Sequence, residues 1–78
     1  KNNTLRFDDT SLRDAFAAIE NWYNVEIEVD DPALLDCVIT SKYQNESIDN
    51  VLNSFGFMLK IDFKIKGNHV TVSGKGCR

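Results

Sequence analysis

The stretch that decides the fold is Ser11–Val29, SLRDAFAAIENWYNVEIEV, because its pattern recurs as Ser47–Ile65, SIDNVLNSFGFMLKIDFKI. The two copies stand 36 positions apart, the difference between 47 and 11. At this offset apolar residues fall on apolar residues through a helical stretch and the strand after it: Leu12 on Ile48, Phe16 on Leu52, Ile19 on Phe55 and Ile27 on Phe63. The chain is therefore predicted to consist of two consecutive units of one design.

The first unit is predicted to be β-α-β. Thr4–Phe7 alternates as a short strand, and Thr10 or Ser11 is placed to cap a helix. Asn24 can end that helix in the left-handed conformation, and residues 25–29 alternate as a second strand. The helix carries one apolar stripe at i, i+3, i+4, i+7 and i+11, formed by Leu12, Ala15, Phe16, Ile19 and Tyr23.

The second unit repeats this order and adds a strand. A helical turn at Ala33–Asp36 leads to a strand at Cys37–Tyr43 and then to a helix that is predicted to stop at Gly56, since glycine makes a left-handed cap easy. A longer strand is then expected at Phe57–Lys66, with a tight turn at Gly67-Asn68 leading into Val70–Val72. The predicted order is β-α-β-β-α-β-β, an α+β fold of duplicated β-α-β units.

Residues 1–78 are predicted to form a single domain, with units at about 4–30 and 37–73 and a flexible tail at 74–78. Lys1 stands where a complete chain would have methionine, which suggests a segment of a longer protein. A content of 42% apolar and 27% charged residues is typical of a folded globule. The net charge of −3 predicts no contact with nucleic acid or with an anionic membrane, and no apolar run is long enough to span a bilayer.

Two cysteines, Cys37 and Cys77, lie 40 positions apart, a spacing that matches no zinc or redox motif. A disulfide between them would stabilise the domain in an oxidising compartment. The alternative, which the residue pattern favours, is a buried strand residue at Cys37 and a free thiol at Cys77.

No residue is predicted to be catalytic, to bind a cofactor or to ligate a metal. His69 is the single histidine and has no nucleophile signature around it. The pairs Asp8-Asp9 and Asp30-Asp31 lack the alternation of a calcium loop, and turns explain them better. Gly67 is followed by no helix whose amides could bind a phosphate.

Protein interaction is the function class that remains, and two kinds of surface are candidates. Trp22 lies on the flank of the first helix stripe, where a half-exposed indole suits an interface, although packing under a strand edge is the alternative that the pattern favours slightly. Open strand edges are the other kind, at Thr4–Phe7 with its single charge and at the uncharged Val70–Ser73. The candidate interface residues are Arg6, Trp22, Val70, Thr71 and Val72.

The sequence also resembles the C-terminal domain of FecR-type anti-sigma factors of Bacteroidetes, over about Thr4 to Ser73. The likeness is carried by many weakly specific positions: Leu5-Arg6-Phe7 with Thr10-Ser11-Leu12, Trp22 to Ile27, Val38-Ile39-Thr40, Asn45 to Ile48, Val51-Leu52 and Gly67 to Val72. The doubled pattern is similar to the secretin/TonB short N-terminal signalling domain. That similarity implies two helices packed between small two- and three-stranded sheets.

The resemblance implies a non-enzymatic, periplasmic module of a protein anchored in the inner membrane. Such a module receives a signal from the signalling domain of a TonB-dependent outer-membrane transducer. It passes that signal to an extracytoplasmic-function sigma factor, which the N-terminal part of the parent chain would hold. The alternative is a structural envelope domain that forms rings or assemblies, as the N-domains of secretins do.

Overall fold

The computed structural model describes residues 3–75 and contains five strands, two α-helices and one short 3₁₀ helix in that range. Their order confirms the predicted β-α-β-β-α-β-β arrangement, with the expected helical turn between the units. The bounds are β1 Thr4–Ser11, α1 Leu12–Tyr23, β2 Glu26–Val29, the 3₁₀ helix Pro32–Asp36, β3 Val38–Gln44, α2 Ile48–Leu59, β4 Ile61–Lys66 and β5 His69–Gly74.

The first unit contributes one strand to each of two sheets, whereas the second contributes one strand to the first sheet and two to the other. Strands β1 and β3 pair antiparallel as a two-stranded sheet, and the order of the other sheet is β2-β5-β4. Strand β5 runs parallel to β2 and antiparallel to β4, so it separates the two strands that the repeat relates. The fifth strand therefore breaks the internal symmetry on one side of the molecule only.

A chain of aromatic rings connects the two sheets through both helices. Phe7 of β1 meets Phe55 of α2, Phe55 stacks on Phe16 of α1, and Phe16 meets Phe63 of β4, with ring centroids 5.6 to 6.4 Å apart. The helices thus lie between the sheets, as the resemblance implied. The fully buried side chains of α1 and α2 share this single core, so neither unit covers its helix alone.

Both helices begin and end in the same way, although the sequence pattern predicts an earlier end for the second one. The hydroxyl oxygens of Ser11 and Ser47 accept hydrogen bonds from the backbone N–H groups of Asp14 and Asn50, three residues on. Each helix then ends at a residue in the left-handed conformation, Asn24 with φ 58° and Lys60 with φ 56°. The equivalent capping of α1 and α2 explains why both have 12 residues.

Replacing either cap serine by alanine should lower the free energy of unfolding by about 1 kcal/mol, because an amide of the first helical turn loses its acceptor. The double variant Ser11→Ala/Ser47→Ala should lose about the sum, since the two hydroxyl groups accept hydrogen bonds from amides of different helices. Urea unfolding of the three variants measures this. Asn53→Ala, at an exposed position inside α2, is the control and should not destabilise the chain. If Ser47→Ala left the free energy of unfolding unchanged, the expected role of the cap would be contradicted.

The predicted stop of the second helix at Gly56 is wrong, as is the predicted strand start at Phe57. Helix α2 continues for three residues to Leu59, and β4 begins only at Ile61. The reason is tertiary: a Cβ atom at position 56 would lie 2.8 Å from the carbonyl oxygen of Ile61. Gly56 allows β4 to pass close to the helix, and it does not end the helix.

Strand β1 is longer than predicted because it contains a bulge. The register with β3 shifts between Phe7 and Thr10, and Asp9 adopts φ 54°. The Asp9 N–H donates to Thr40 Oγ1 across the sheet at 2.8 Å, and the Asp8 N–H donates to Thr10 Oγ1 at 3.0 Å. The residues expected to form a turn therefore reshape the strand without ending it.

Cys37 directly precedes β3, and its side chain is buried and disulfide-bonded. The burial agrees with the sequence analysis, whereas the favoured alternative without a disulfide is wrong for Cys37. Cys77 lies outside the described residues. The flexible tail expected from position 74 does not include Gly74, which pairs with Ile61 as the last residue of β5, and residues 76–78 are also outside the described range.

Candidate interaction surface

Trp22 stands at the carboxyl end of α1 with 44% of its surface exposed. Its equivalent in the second unit is Met58, 36 positions later, which is 42% exposed. Both side chains lie on the flank of an apolar stripe, so the two helices present matching half-exposed groups. Trp22 therefore has the exposure that an interface role requires, and that role stays a prediction.

Arg6 is exposed on β1 and lines an open depression of about 310 Å³ beside the bulge. The lining residues are Arg6, Phe7, Asp8, Thr40, Ser41 and Lys42. Two cations and one carboxylate give this surface a mixed character. As one of two strands in its sheet, β1 has an open edge, as expected from the sequence.

The predicted open edge at Val70–Ser73 is wrong, because β5 is the central strand of its sheet. Val70 pairs with Ile27 of β2 and with Ile65 of β4, and Val70 and Val72 are fully buried. Of the three candidate interface residues on β5, Thr71 alone has an exposed side chain. The central position of β5 could not be predicted from the sequence, because β2 is distant in the chain. No local pattern in β5 indicates that a parallel strand pairs with it.

His69 lies between two glutamates on the outer face of the three-stranded sheet. Its Nε2 is 3.0 Å from Glu28 Oε1, and its Nδ1 is 3.6 Å from Glu26 Oε1. All three side chains are well exposed, so solvent screens their interaction and the cluster contributes little to stability. Among residues 3–75 no group of three histidine, cysteine or acidic side chains could hold a metal ion.

Besides Trp22, the exposed large apolar residues among the described ones are Val38, Phe57, Met58 and Ile65, and none of these four was predicted to be exposed. Phe57 is 88% exposed on the outer side of α2, and Ile65 is 41% exposed near the end of β4. The repeat contained the signal for Phe57, since position 57 corresponds to Asn21, an exposed residue of α1. The exposure of Ile65 depends on where the sheet ends, which no local pattern indicates.

Tyr23 fixes the end of α1 to the start of α2 by donating its hydroxyl to the Glu46 carbonyl oxygen at 2.8 Å. Desolvation by burial, and secondarily the Glu46 carboxylate, raise the pKa of Tyr23 above its ordinary value of 10.0. The neutral phenol is therefore favoured in the folded state.

The Tyr23→Phe variant should lose about 1 kcal/mol of unfolding free energy near neutral pH, because the hydroxyl hydrogen bond is removed. Since the folded-state pKa is raised, the unfolded chain releases the proton first as pH rises past 10.0. The wild type should then lose stability more steeply than Tyr23→Phe on going to alkaline pH. Urea unfolding at neutral and alkaline pH tests this, and parallel pH profiles would contradict it.

Taken together, the fold and its surface define a small doubled β-α-β domain whose exposed features suit protein contact. The family described as "FecR, C-terminal" matches residues 4–72. The chain belongs to this family of anti-sigma factors, which are regulatory proteins.

Solved structures show the same fold. Two crystal structures of a "putative anti-sigma factor" from Parabacteroides distasonis ATCC 8503, at 1.65 and 2.50 Å resolution, align with a TM-score of 0.85 and 23% sequence identity. The alignment covers 96% of this chain and 35% of theirs, so the chain spans about a third of the length of those proteins. No curated protein matches the chain. Neither described helix is long and apolar enough to cross a membrane.

Proposed function

We propose that the chain is the periplasmic interaction module of a transmembrane anti-sigma factor. It binds the signalling domain of a TonB-dependent outer-membrane transducer and relays the signal to an extracytoplasmic-function sigma factor. The observation that carries this proposal is the family match over residues 4–72. The sigma factor is contacted by another part of the parent protein, which is anchored in the inner membrane.

Two features of the chain support a periplasmic location and a binding role. Cys37 is disulfide-bonded, and disulfides persist in oxidising compartments such as the periplasm. Trp22 and Arg6 are exposed and belong to the residue types that carry binding energy at protein interfaces. We assign both to the surface that contacts the transducer.

Isothermal titration calorimetry of the chain with the transducer's signalling domain is the direct test. Trp22→Ala should weaken binding by a factor of about 30, the loss expected for an aromatic interface anchor. Asn21→Ala is the matched control, because Asn21 is exposed on the same helix turn and offers little contact area. Absence of binding by the folded wild-type chain would refute the proposed function.

An assembly role is the second candidate, favoured by the strands that end each sheet. Strands β1, β3, β2 and β4 all lie at a sheet edge, and such edges can join copies of one chain. Sedimentation velocity at micromolar concentration separates the two candidates. A monomer that binds the transducer supports signalling, whereas rings or larger assemblies that do not bind it support an envelope-assembly role.

A further inference from the structure

Strand β4 presents backbone hydrogen-bonding groups at the outer edge of its sheet. The N–H groups of Glu26 and Asp30 donate to the carbonyls of Asn68 and Val72, so the even-numbered residues of β5 direct their polar groups toward β2. The odd-numbered residues of β5 therefore bond to β4. In this pairing, His69 of β5 bonds to Lys66 of β4, Thr71 bonds to Lys64, and Ser73 bonds to Asp62. The alternating residues Ile61, Phe63 and Ile65 consequently point their N–H and C=O groups away from the sheet.

Two of these three positions are accessible to a partner. The carbonyl oxygen of Ile61 lies against Gly56 in the last turn of α2, which covers that end of the edge. Within residues 3–75, no hydrogen bond beyond those of the strand ladders reaches the backbone of Phe63 or Ile65. The edge therefore has room for a short segment that pairs with Phe63 and Ile65.

The other edges are less suited to such a segment. On β2 the outward N–H of Ile27 already donates to Glu20 Oε2 at 2.8 Å, so a side chain from α1 blocks that edge. Strand β1 is interrupted by its bulge, and a bulge makes an edge strand less able to pair with a strand of another chain. On β3 the outward positions, identified from the Asn45 N–H bond to the Asn3 carbonyl, carry polar side chains such as that of Lys42, except for Val38 at the amino end of the strand.

The side chains of β4 indicate the chemistry of its partner. Ile65 is 41% exposed and Phe63 partly exposed on the inner face, so an added strand would cover apolar surface there. Lys64 and Lys66 are exposed on the outer face, and neither takes part in the ion pairs found among the described residues. Opposite charges on directly facing residues stabilise a strand pair, whereas like charges destabilise it.

We propose that β4 is a docking edge for an extended segment in which apolar and acidic residues alternate. The apolar side chains cover Phe63 and Ile65, the acidic ones face Lys64 and Lys66, and the backbones pair as an added strand. This inference rests on the proposed function only in placing the segment in the transducer's signalling domain. The edge itself is defined by the chain's own residues.

Two capped octapeptides test the edge directly, one alternating valine with glutamate and the other valine with lysine. We expect the glutamate peptide to bind more tightly at low salt, with slowed hydrogen exchange at the Phe63 and Ile65 amides. Ile65→Pro removes the outward donor and should weaken binding roughly tenfold or more, whereas Ile65→Ala keeps the donor and should weaken it less. Thermal unfolding establishes that each variant is folded.

The double charge reversal Lys64→Glu/Lys66→Glu provides a test that does not depend on proline. It should reverse the preference so that the lysine peptide binds more tightly. Equal binding of both peptides, or protection confined to β1 or β3, would overturn the inference. So would self-association of the chain that Ile65→Pro abolishes, because the occupant would then be a second copy.

Titration with the transducer's signalling domain distinguishes the two proposals. If the wild type binds the domain and Ile65→Pro binds it equally well, docking of the transducer at the β4 edge is refuted and the proposed function stands. If the glutamate peptide binds β4 but the signalling domain does not bind the chain, the edge stands and the proposed function is refuted.

Discussion

Replacing Phe55 by alanine should lower the free energy of unfolding by about 3–5 kcal/mol, the largest loss we expect from any single truncation in this chain. Phe55 is fully buried and contacts three other rings, those of Phe7, Phe16 and Tyr43. Truncation removes apolar contacts and leaves a cavity between the sheets. Because the total free energy of unfolding of a small domain is itself only a few kcal/mol, the variant should be largely unfolded at physiological temperature.

Phe57→Ala is the matched control, because the same substitution is made two residues away on the same helix. Phe57 is 88% exposed, so its removal should change the unfolding free energy by less than about 0.5 kcal/mol. Urea unfolding at low temperature, with Phe55→Leu as a milder second variant, measures the difference. Similar losses for Phe55→Ala and Phe57→Ala would contradict the placement of these two residues.

Gly56→Ala should lower the free energy of unfolding by about 1–3 kcal/mol, which is opposite in sign to the usual effect of this substitution. In an ordinary helix interior, alanine is favoured over glycine by about 1 kcal/mol. Here the added Cβ would lie 2.8 Å from the Ile61 carbonyl oxygen, a backbone atom that moves only if β4 moves. The clash therefore outweighs the gain in helix propensity.

Asn53→Ala, one turn earlier on the exposed side of α2, is the control for helix propensity and should stabilise the chain by a few tenths of a kcal/mol. Hydrogen exchange of the β4 amides is a second readout for Gly56→Ala, since a displaced β4 should exchange faster. If Gly56→Ala raised the midpoint of urea unfolding, the close approach of β4 to α2 would be refuted.

The error at the end of α2 shows how two sequence signals can conflict. Gly56 is a common type of helix terminator, whereas the repeat places Lys60 on Asn24 and so predicts an end at position 60. The structure follows the repeat, with both residues left-handed. Lysine has no special preference for this conformation, so residue type alone could not reveal the cap. The close approach of β4 explains the glycine.

The candidate interaction surface was less predictable than the fold. Exposure of Trp22 follows from its helix position, and the sequence alone suggested an edge at β1. The edge at β4 and the burial of β5 could not be predicted, because Val70–Val72 reads as an uncharged terminal strand. Which strands lie at the edge depends on the insertion of β5 between β2 and β4.

The sequence by itself determined the two units, the caps of the first helix and the apolar stripes, since periodicity and capping are local properties that residues a few positions apart express together. The tertiary structure alone decided the order of the strands, the continuation of α2 through Gly56 and the edges left open for a partner. These features depend on contacts between residues far apart in the chain, such as Gly56 with Ile61 across the helix end and Ile27 with Val70 across the sheet. Packing selects among arrangements that local patterns leave equally allowed.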